Sequence, residues 1–228
     1  MSADTPVIAI DGPSGTGKGT ISQLVARHLG WHLLDSGALY RVIAVGAEKN
    51  DIKTNDINGL QKFAEGMQVA FSTEFEGSIT LDNDEISHQV RLEETAEKAS
   101  VVAAIPEIRE VLLQRQRDFQ LPPGLVADGR DMGTVVFPDS RLKIYLTASP
   151  EERAQRRYKQ LINKGVSVNL RALLQDIASR DERDANRAVS PLRPAEDAVV
   201  IDTTSLTIEE VFKEVLGKVS ERFPKTAV

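Results

Sequence analysis

Cysteine is absent from all 228 residues. That excludes disulfides, thiolate metal sites and a cysteine nucleophile. Long hydrophobic runs are missing too. The apolar stretch from Ser100 to Ile105 falls far short of the ~20 residues a membrane-crossing helix needs. The opening Met-Ser-Ala-Asp-Thr-Pro lacks the basic start and apolar middle of a secretory signal, so a cytoplasmic chain is expected. Positive charge is in deficit, with 28 basic against 34 acidic residues and a net charge of −6. Aromatics make up only 5%. A nucleic-acid binder would need a basic surface and, for single strands, stacking rings, so that class is disfavoured. Hydrophobic content of 41% and charged content of 27% match ordinary globular chains. They exclude a mainly disordered chain, and the length suits one domain, with or without an insert.

Short apolar runs alternate with longer periodic stretches, which predicts an α/β fold. Val7–Ile10 reads as a strand. Ile21, Leu24, Val25 and Leu29 recur at helical spacing, with Gly30 as the stop. Further strand tips fall at Leu33-Leu34 before Asp35-Ser36-Gly37, at Leu125–Ala127 before Asp128-Gly129, at Leu142–Leu146, and at Ala198–Ile201 before Asp202. Runs without strict alternation suit parallel strands covered on both faces. Ser149-Pro150-Glu151-Glu152 predicts a capped helix start, and Thr207 with Glu210 a capping box. The last helix, with Val211, Phe212, Val215, Leu216 and Val219 on one face, is expected to do core packing and no chemistry. Residues 66–92 break the pattern. Gln68–Phe71 and Ser78–Leu81 read as short antiparallel strands around Glu76-Gly77, with Asp82-Asn83-Asp84 as another turn, in a β insert too small to fold alone.

The strongest motif is Gly12-Pro13-Ser14-Gly15-Thr16-Gly17-Lys18-Gly19-Thr20. It carries the spacing G-x-x-x-x-G-K between a strand and an amphipathic helix. Glycines allow a tight turn whose N–H groups converge on phosphate oxygens. The helix N-terminus adds partial positive charge, and Lys18 a full one. The usual motif places Ser or Thr directly after the lysine to bind Mg²⁺. Gly19 stands there instead, and the hydroxyl comes at Thr20, which weakens the case for a switch GTPase or motor ATPase. Asn163-Lys164-Gly165-Val166 also lacks the acidic residue of a guanine-reading motif.

Phosphoryl transfer needs a second site. Asp35–Arg41 follows the second strand, beside the phosphate loop. Arg41 there is either a holder of acceptor phosphate or a surface arginine. Asp128 is either a carboxylate for Mg²⁺ through water or an Asx turn; Arg130 and Asp131 follow it. Of 17 arginines, eight lie between Arg153 and Arg193. Arg153, Arg156 and Arg157 share a helical face, and Arg180, Arg183 and Arg187 stand near another, interleaved with Asp181 and Asp184. A salt-bridged surface is the alternative, but so many guanidiniums also match the oxygens of a transferring phosphoryl group. A phosphate acceptor is mostly a dianion at pH 7 and needs no general base. A hydroxyl acceptor would need one, from Asp35 or Asp131. His28, His32 and His88 show neither triad nor metal spacing.

Together, the blocks Asp11–Thr20, Leu34–Arg41, Asp128–Thr134 and Arg180–Asp184 with Asn186-Arg187 resemble those of bacterial cytidylate kinases over almost the whole chain, the β insert included. The resemblance implies a P-loop NTPase-type three-layer α/β fold with a five-stranded parallel sheet. Its core would span residues 1–36, 100–150 and 170–228, with a monophosphate-binding insert at about 37–99 and a short helical lid at about 151–169. It implies transfer from ATP to CMP or dCMP with Mg²⁺, by a monomer that binds neither nucleic acid nor membrane. Ser36, Ser100, Arg109 and Asp131 would read cytosine; Arg41, Arg130 and Arg187 would hold the CMP phosphate. Arg180 and Asp184 would contact the sugar, with Asp35 and Tyr40 completing the substrate site. Residues Gly12 to Thr20, with Arg153 and Arg157 from the lid, would hold ATP. Lys18, Arg130 and Arg187 would be the catalytic cations. Two other readings stay open: a kinase for UMP, AMP or a hydroxylated metabolite, and an ATP-sensing module without activity.

Overall fold

The structure is a computed structural model, and it describes residues 5–71, 78–163 and 165–224. In chain order the elements are β1 (Val7–Asp11), α1 (Lys18–Leu29), β2 (His32–Asp35), α2 (Ser36–Lys49), α3 (Ile57–Gly66), β3 (Val69–Phe71), β4 (Ile79–Leu81), β5 (Asp84–Glu85), α4 (Ser87–Val90), α5 (Glu93–Val102) and α6 (Pro106–Arg117). There follow β6 (Leu125–Gly129), a π-helical turn (Met132–Val136), β7 (Leu142–Thr147), α7 (Pro150–Asn163), α8 (Leu170–Ala185), β8 (Val199–Asp202) and α9 (Ile208–Arg222).

Five strands form a parallel sheet in the order β2-β6-β1-β7-β8. Every residue of β1 and β6 is buried, as expected for strands covered on both sides. Side chains alternate between faces, so β1 contributes to two cores. Val7 and Ala9 pack with Leu39 and Val42 of α2 and with Ile108 and Leu112 of α6. Ile8 and Ile10 pack with Ile21 and Val25 of α1 and with Val211 and Val215 of α9. Burial of each such isoleucine contributes ~1.5–3 kcal/mol. The three-layer α/β expectation therefore holds, and all five expected strands belong to the sheet.

The insert pairs β3, β4 and β5 antiparallel. Asp82 and Asn83, with φ of 50° and 73°, form the two-residue turn between β4 and β5, a conformation these residue types tolerate. The expected turn at Glu76-Gly77 lies outside the described residues.

Helix ends follow local chemistry. Gly30 stops α1 in the left-handed region at φ 65°. Thr207 and Glu210 form the full capping box of α9. At α7 only half of the expected box is present. Ser149 Oγ accepts the Glu152 N–H at 3.2 Å, but the Ser149 N–H donates to Thr204 Oγ1. Glu152 is therefore free to accept from Arg156 Nε at 2.9 Å. Among the described residues no helix is long and apolar enough to cross a membrane.

Candidate active site

Three parallel strands end side by side in carboxylates. Asp35 of β2 is in register with Asp128 of β6, and Asp128 with Ile10, the neighbour of Asp11, on β1. Residues at the carboxyl ends of such strands face the crevice where ligands of α/β sheets bind. A cavity of about 690 Å³ opens there.

One wall is the loop between β1 and α1. Gly12 makes the turn out of β1 at φ +150°, and a Cβ there would lie 2.1 Å from the Leu146 carbonyl oxygen. Only glycine allows the loop to lie this close to β7. Gly12 and Pro13 stay behind the surface, while Ser14 to Thr20 line the cavity. Lys18 opens α1 and lies 3.7 Å from Asp128. Burial lowers the Lys18 pKa, with Arg130 adding to the effect, and these outweigh the opposing attraction of Asp128. Burial raises the Asp128 pKa to about 6 against the pull of Lys18, with Asp35 pushing the same way. Each partner is thus a poorly solvated charge.

Arginines line the same cavity, among them Arg41, Arg130, Arg157, Arg180 and Arg187. Arg41 Nη1 donates to the Val90 carbonyl at 3.1 Å. Arg130 Nε donates to Asp184 at 2.5 Å, and Arg187 bonds the other oxygen of the same carboxylate. Asp184 raises the Arg130 pKa although burial works against it. The pKa values of the other four are lowered. Burial lowers the Arg41 pKa, and Arg130 and Arg180 lower it further. Burial with Arg41 and Arg180 brings Arg157 down to about 10. Arg187 is lowered by burial, which Asp184 only partly offsets. A cluster of guanidiniums that depress one another is a site for an anion.

Ser36, Tyr40, Ser100, Arg109 and Asp131 line the cavity as well. Arg109 bonds the Asp131 carboxylate and the Ala103 carbonyl, with its guanidinium 5.6 Å from the Tyr40 ring centre. Burial works against the Arg109 charge, yet Tyr40 and Asp131 leave its pKa raised. Burial pushes the Tyr40 hydroxyl up to about 12. Asp131 is only 4% exposed. Gly129 has no side chain because a Cβ would meet Ser36 Oγ and Met132 at 2.7 Å. Several buried atoms of residues that line the cavity lack a hydrogen-bond partner: Tyr40 Oη, Arg109 Nε, Arg187 Nε and Asp128 Oδ1. Each costs ~1–3 kcal/mol when left unmade, a cost a polar ligand relieves.

Every residue expected in the acceptor site lines this one cavity. Asp35 does so while its carboxylate also caps α2 through the Ala38 N–H at 3.0 Å. Arg153 does not line it. Its side chain is 3% exposed and lies behind the loop. Its guanidinium donates to the Ala148 and Ser14 carbonyls and to both oxygens of Asp181. Expected beside the ATP phosphates, it instead ties α7 to the loop and to α8. Arg156, one turn on, does face the cavity. It bonds the Thr203 carbonyl and hydroxyl.

The sequence reading missed three features. Glu93 of α5 pairs with both Arg157 and Arg180 across the mouth; only its position at a helix start signals it. Ser100 accepts from Arg183 at 2.8 Å. The start of α9 also contributes Thr207, Ile208 and Val211 to the wall, so α9 packs the core and shapes the cavity as well.

A glycine-rich loop on a helix N-terminus, a lysine beside a strand-end aspartate and a parallel sheet define a P-loop nucleotide-binding protein. The family model for cytidylate kinase matches residues 8–221. A cytidylate kinase of Shewanella denitrificans is 54% identical over 222 residues, covering 96% of this chain and 98% of its own. One from Aeromonas salmonicida is 55% identical over 213 residues, covering 93% of each chain. One from Nitrosococcus oceani is 52% identical over 219 residues, covering 95% of this chain and 96% of its own. The chain belongs to the cytidylate kinase family.

Proposed function

We propose that the protein transfers the terminal phosphoryl group of ATP to CMP or dCMP, releasing ADP and CDP or dCDP. The observation that carries this is the buried Arg109–Asp131 pair in the same cavity as Lys18. Cytosine offers an amino donor beside acceptors at N3 and O2. Asp131 accepts from the amino group and Arg109 donates to N3 and O2, with Ser36 and Ser100 completing the edge. Arg41, Arg130 and Arg187 hold the acceptor phosphate. Arg180 and Asp184 face the sugar. Lys18 and the N–H groups from Ser14 to Thr20 hold the donor phosphates, with Arg157 reaching them from α7.

The acceptor's dianion attacks without giving up a proton, so no general base is required. The cations align donor and acceptor and stabilise charge on the transferring oxygens. Mg²⁺ fits the oxygen-rich side of the site, where the buried Asp128 Oδ1 has no hydrogen-bond partner and Thr20 lines the wall. These hard oxygen ligands would hold the ion through water, and when bound it neutralises phosphate charge. A monomeric enzyme is part of the same proposal. We further propose that residues 37–99 and 151–169 close over the substrates, with phosphate taking Arg157 and Arg180 from Glu93.

A panel of acceptors with ATP and Mg²⁺, read by ADP release, tests the assignment. CMP and dCMP should exceed UMP and AMP by ~100-fold or more in kcat/KM, since the wrong base leaves buried polar groups mismatched. Preference for UMP or AMP would change the acceptor. ATP binding with no transfer to any monophosphate would favour a sensing module.

Arg153 and Arg157 should separate cleanly. Arg153→Met strands the half-buried Asp181 and frees two carbonyls, so it should lower stability by ~1–3 kcal/mol. Arg157→Met should leave the melting temperature within ~2 °C and raise the KM for ATP. Thermal unfolding and steady-state kinetics on both variants check this. A kinetic defect of equal size in a fully stable Arg153→Met variant would return Arg153 to the phosphates.

A further inference from the structure

We infer that Asp11 is a positioning residue for base recognition: it caps the π-helical turn from outside, leaving the Asp131 carboxylate for the base. This rests on the proposal that Asp131 reads cytosine. Asp11 ends β1, is 4% exposed, and does not line the cavity. Its Oδ1 accepts the Met132 N–H and its Oδ2 the Gly133 N–H, each at 2.8 Å. These are the first two amides of the turn that follows Asp131.

An aspartate at the start of a helical turn ordinarily accepts the N–H of the second or third residue of that turn, here Gly133 or Thr134. Asp131 occupies that position but makes no capping bond. Its carbonyl accepts from Val135 and Val136, and its carboxylate turns away to Arg109. The division of labour follows from donor and acceptor counting. Two amide donors need two acceptors, and Asp11 supplies both from the neighbouring strand. If Asp11 withdrew, the vacated Gly133 N–H would stand where the carboxylate of Asp131, at the cap position of the turn, can accept it. The base-facing acceptor would then bend back onto its own backbone.

The groups around Asp11 fit this use. Burial pushes its pKa to about 7, opposed by the Gly133 and Met132 N–H bonds. Asp131 and Asp128 add repulsion. Lys143 packs its stem near Gly133 but places its ammonium on Asp197 at 2.9 Å, so the amides are the partners that hold Asp11. Asp11 also precedes Gly12, so one residue joins the donor loop to the segment carrying Arg130 and Asp131.

The test is Asp11→Asn, which keeps the shape but replaces one accepting oxygen with a donor. The ratio of kcat/KM for CMP over UMP should fall ~10-fold or more, while the KM for ATP stays within ~2-fold of wild type. A loss of fold alone would lower both acceptors together and leave the ratio intact. Asp131→Ala is assayed in parallel. If it lowers the ratio and Asp11→Asn does not, the inference about Asp11 is wrong and the base-reading stands. If Asp131→Ala leaves the ratio unchanged, base-reading by Asp131 fails first. A rise in ATP KM as large as the fall in the ratio would also overturn the inference, placing Asp11 with the phosphate loop. Hydrogen exchange on the nucleotide-free wild type does not depend on a variant folding. Slow exchange at Met132 and Gly133 is expected, and exchange near the unstructured rate would refute the cap.

Discussion

Lys18→Ala should leave the protein folded and lower turnover of ATP with CMP by ~10³-fold or more, the scale of removing a full charge from a water-excluded transition state. The lysine stands where the loop, the start of α1 and Asp128 meet. Its charge is poorly supported by the protein alone, because burial outweighs Asp128. In the proposed function donor phosphates supply the missing counter-charge, so the cation should contribute most when the phosphoryl group is in flight. The fold survives for a related reason. Asp128 already has a pKa of about 6, and Lys18 is the first force holding it down. With the lysine gone the pKa rises further, and the carboxyl can take up a proton at neutral pH instead of standing as a bare buried charge. The melting temperature should move by less than ~5 °C, measured by thermal unfolding beside single-turnover kinetics. A folded variant with near-normal turnover would remove the loop from the mechanism.

The parts of this site that could be read from sequence are those set by short-range rules. Val7–Ile10, the glycine spacing and the apolar positions of α1 lie within one continuous stretch, so period and turn chemistry were enough. Each strand tip ends in a residue whose side of the sheet follows from the parallel arrangement. Arg153 and Arg157 show where that logic stops. They share a helical face one turn apart, and nothing local distinguishes them. The partner that does is Asp181, on a different helix, 28 residues further along. That contact buries Arg153 behind the loop and leaves Arg157 facing the cavity. Asp11 carries no local sign of its role, because its partners Met132 and Gly133 lie 121 and 122 residues away. Thr207 and Val211 gave a clear helix and core stripe, yet the same turn borders the cavity. Periodicity reports which face is buried, not what lies at the helix end.

Asp131→Ala should cost CMP ~10²-fold or more in kcat/KM while leaving ATP affinity nearly unchanged, since a buried charged acceptor is lost opposite an amino donor. Different partners separate the two effects: Asp131 pairs with Arg109, while Lys18 opens α1 beside Asp128. Alanine also strands the buried Arg109 guanidinium, whose Nε already lacks a partner, so some stability is lost with it. Asp131→Asn keeps the shape and an acceptor for Arg109 and makes a sharper experiment. Its amide keeps one oxygen for the cytosine amino group but can turn its NH₂ toward the O4 of uracil. The wild-type carboxylate can only repel O4. The asparagine variant should therefore lose activity toward CMP and gain it toward UMP, narrowing the ratio from both sides. Parallel kcat/KM measurements with the two acceptors, and ATP binding measured separately, decide the matter. Equal losses of CMP turnover and ATP affinity would mean that Asp131 supports the cavity as a whole and does not read the base.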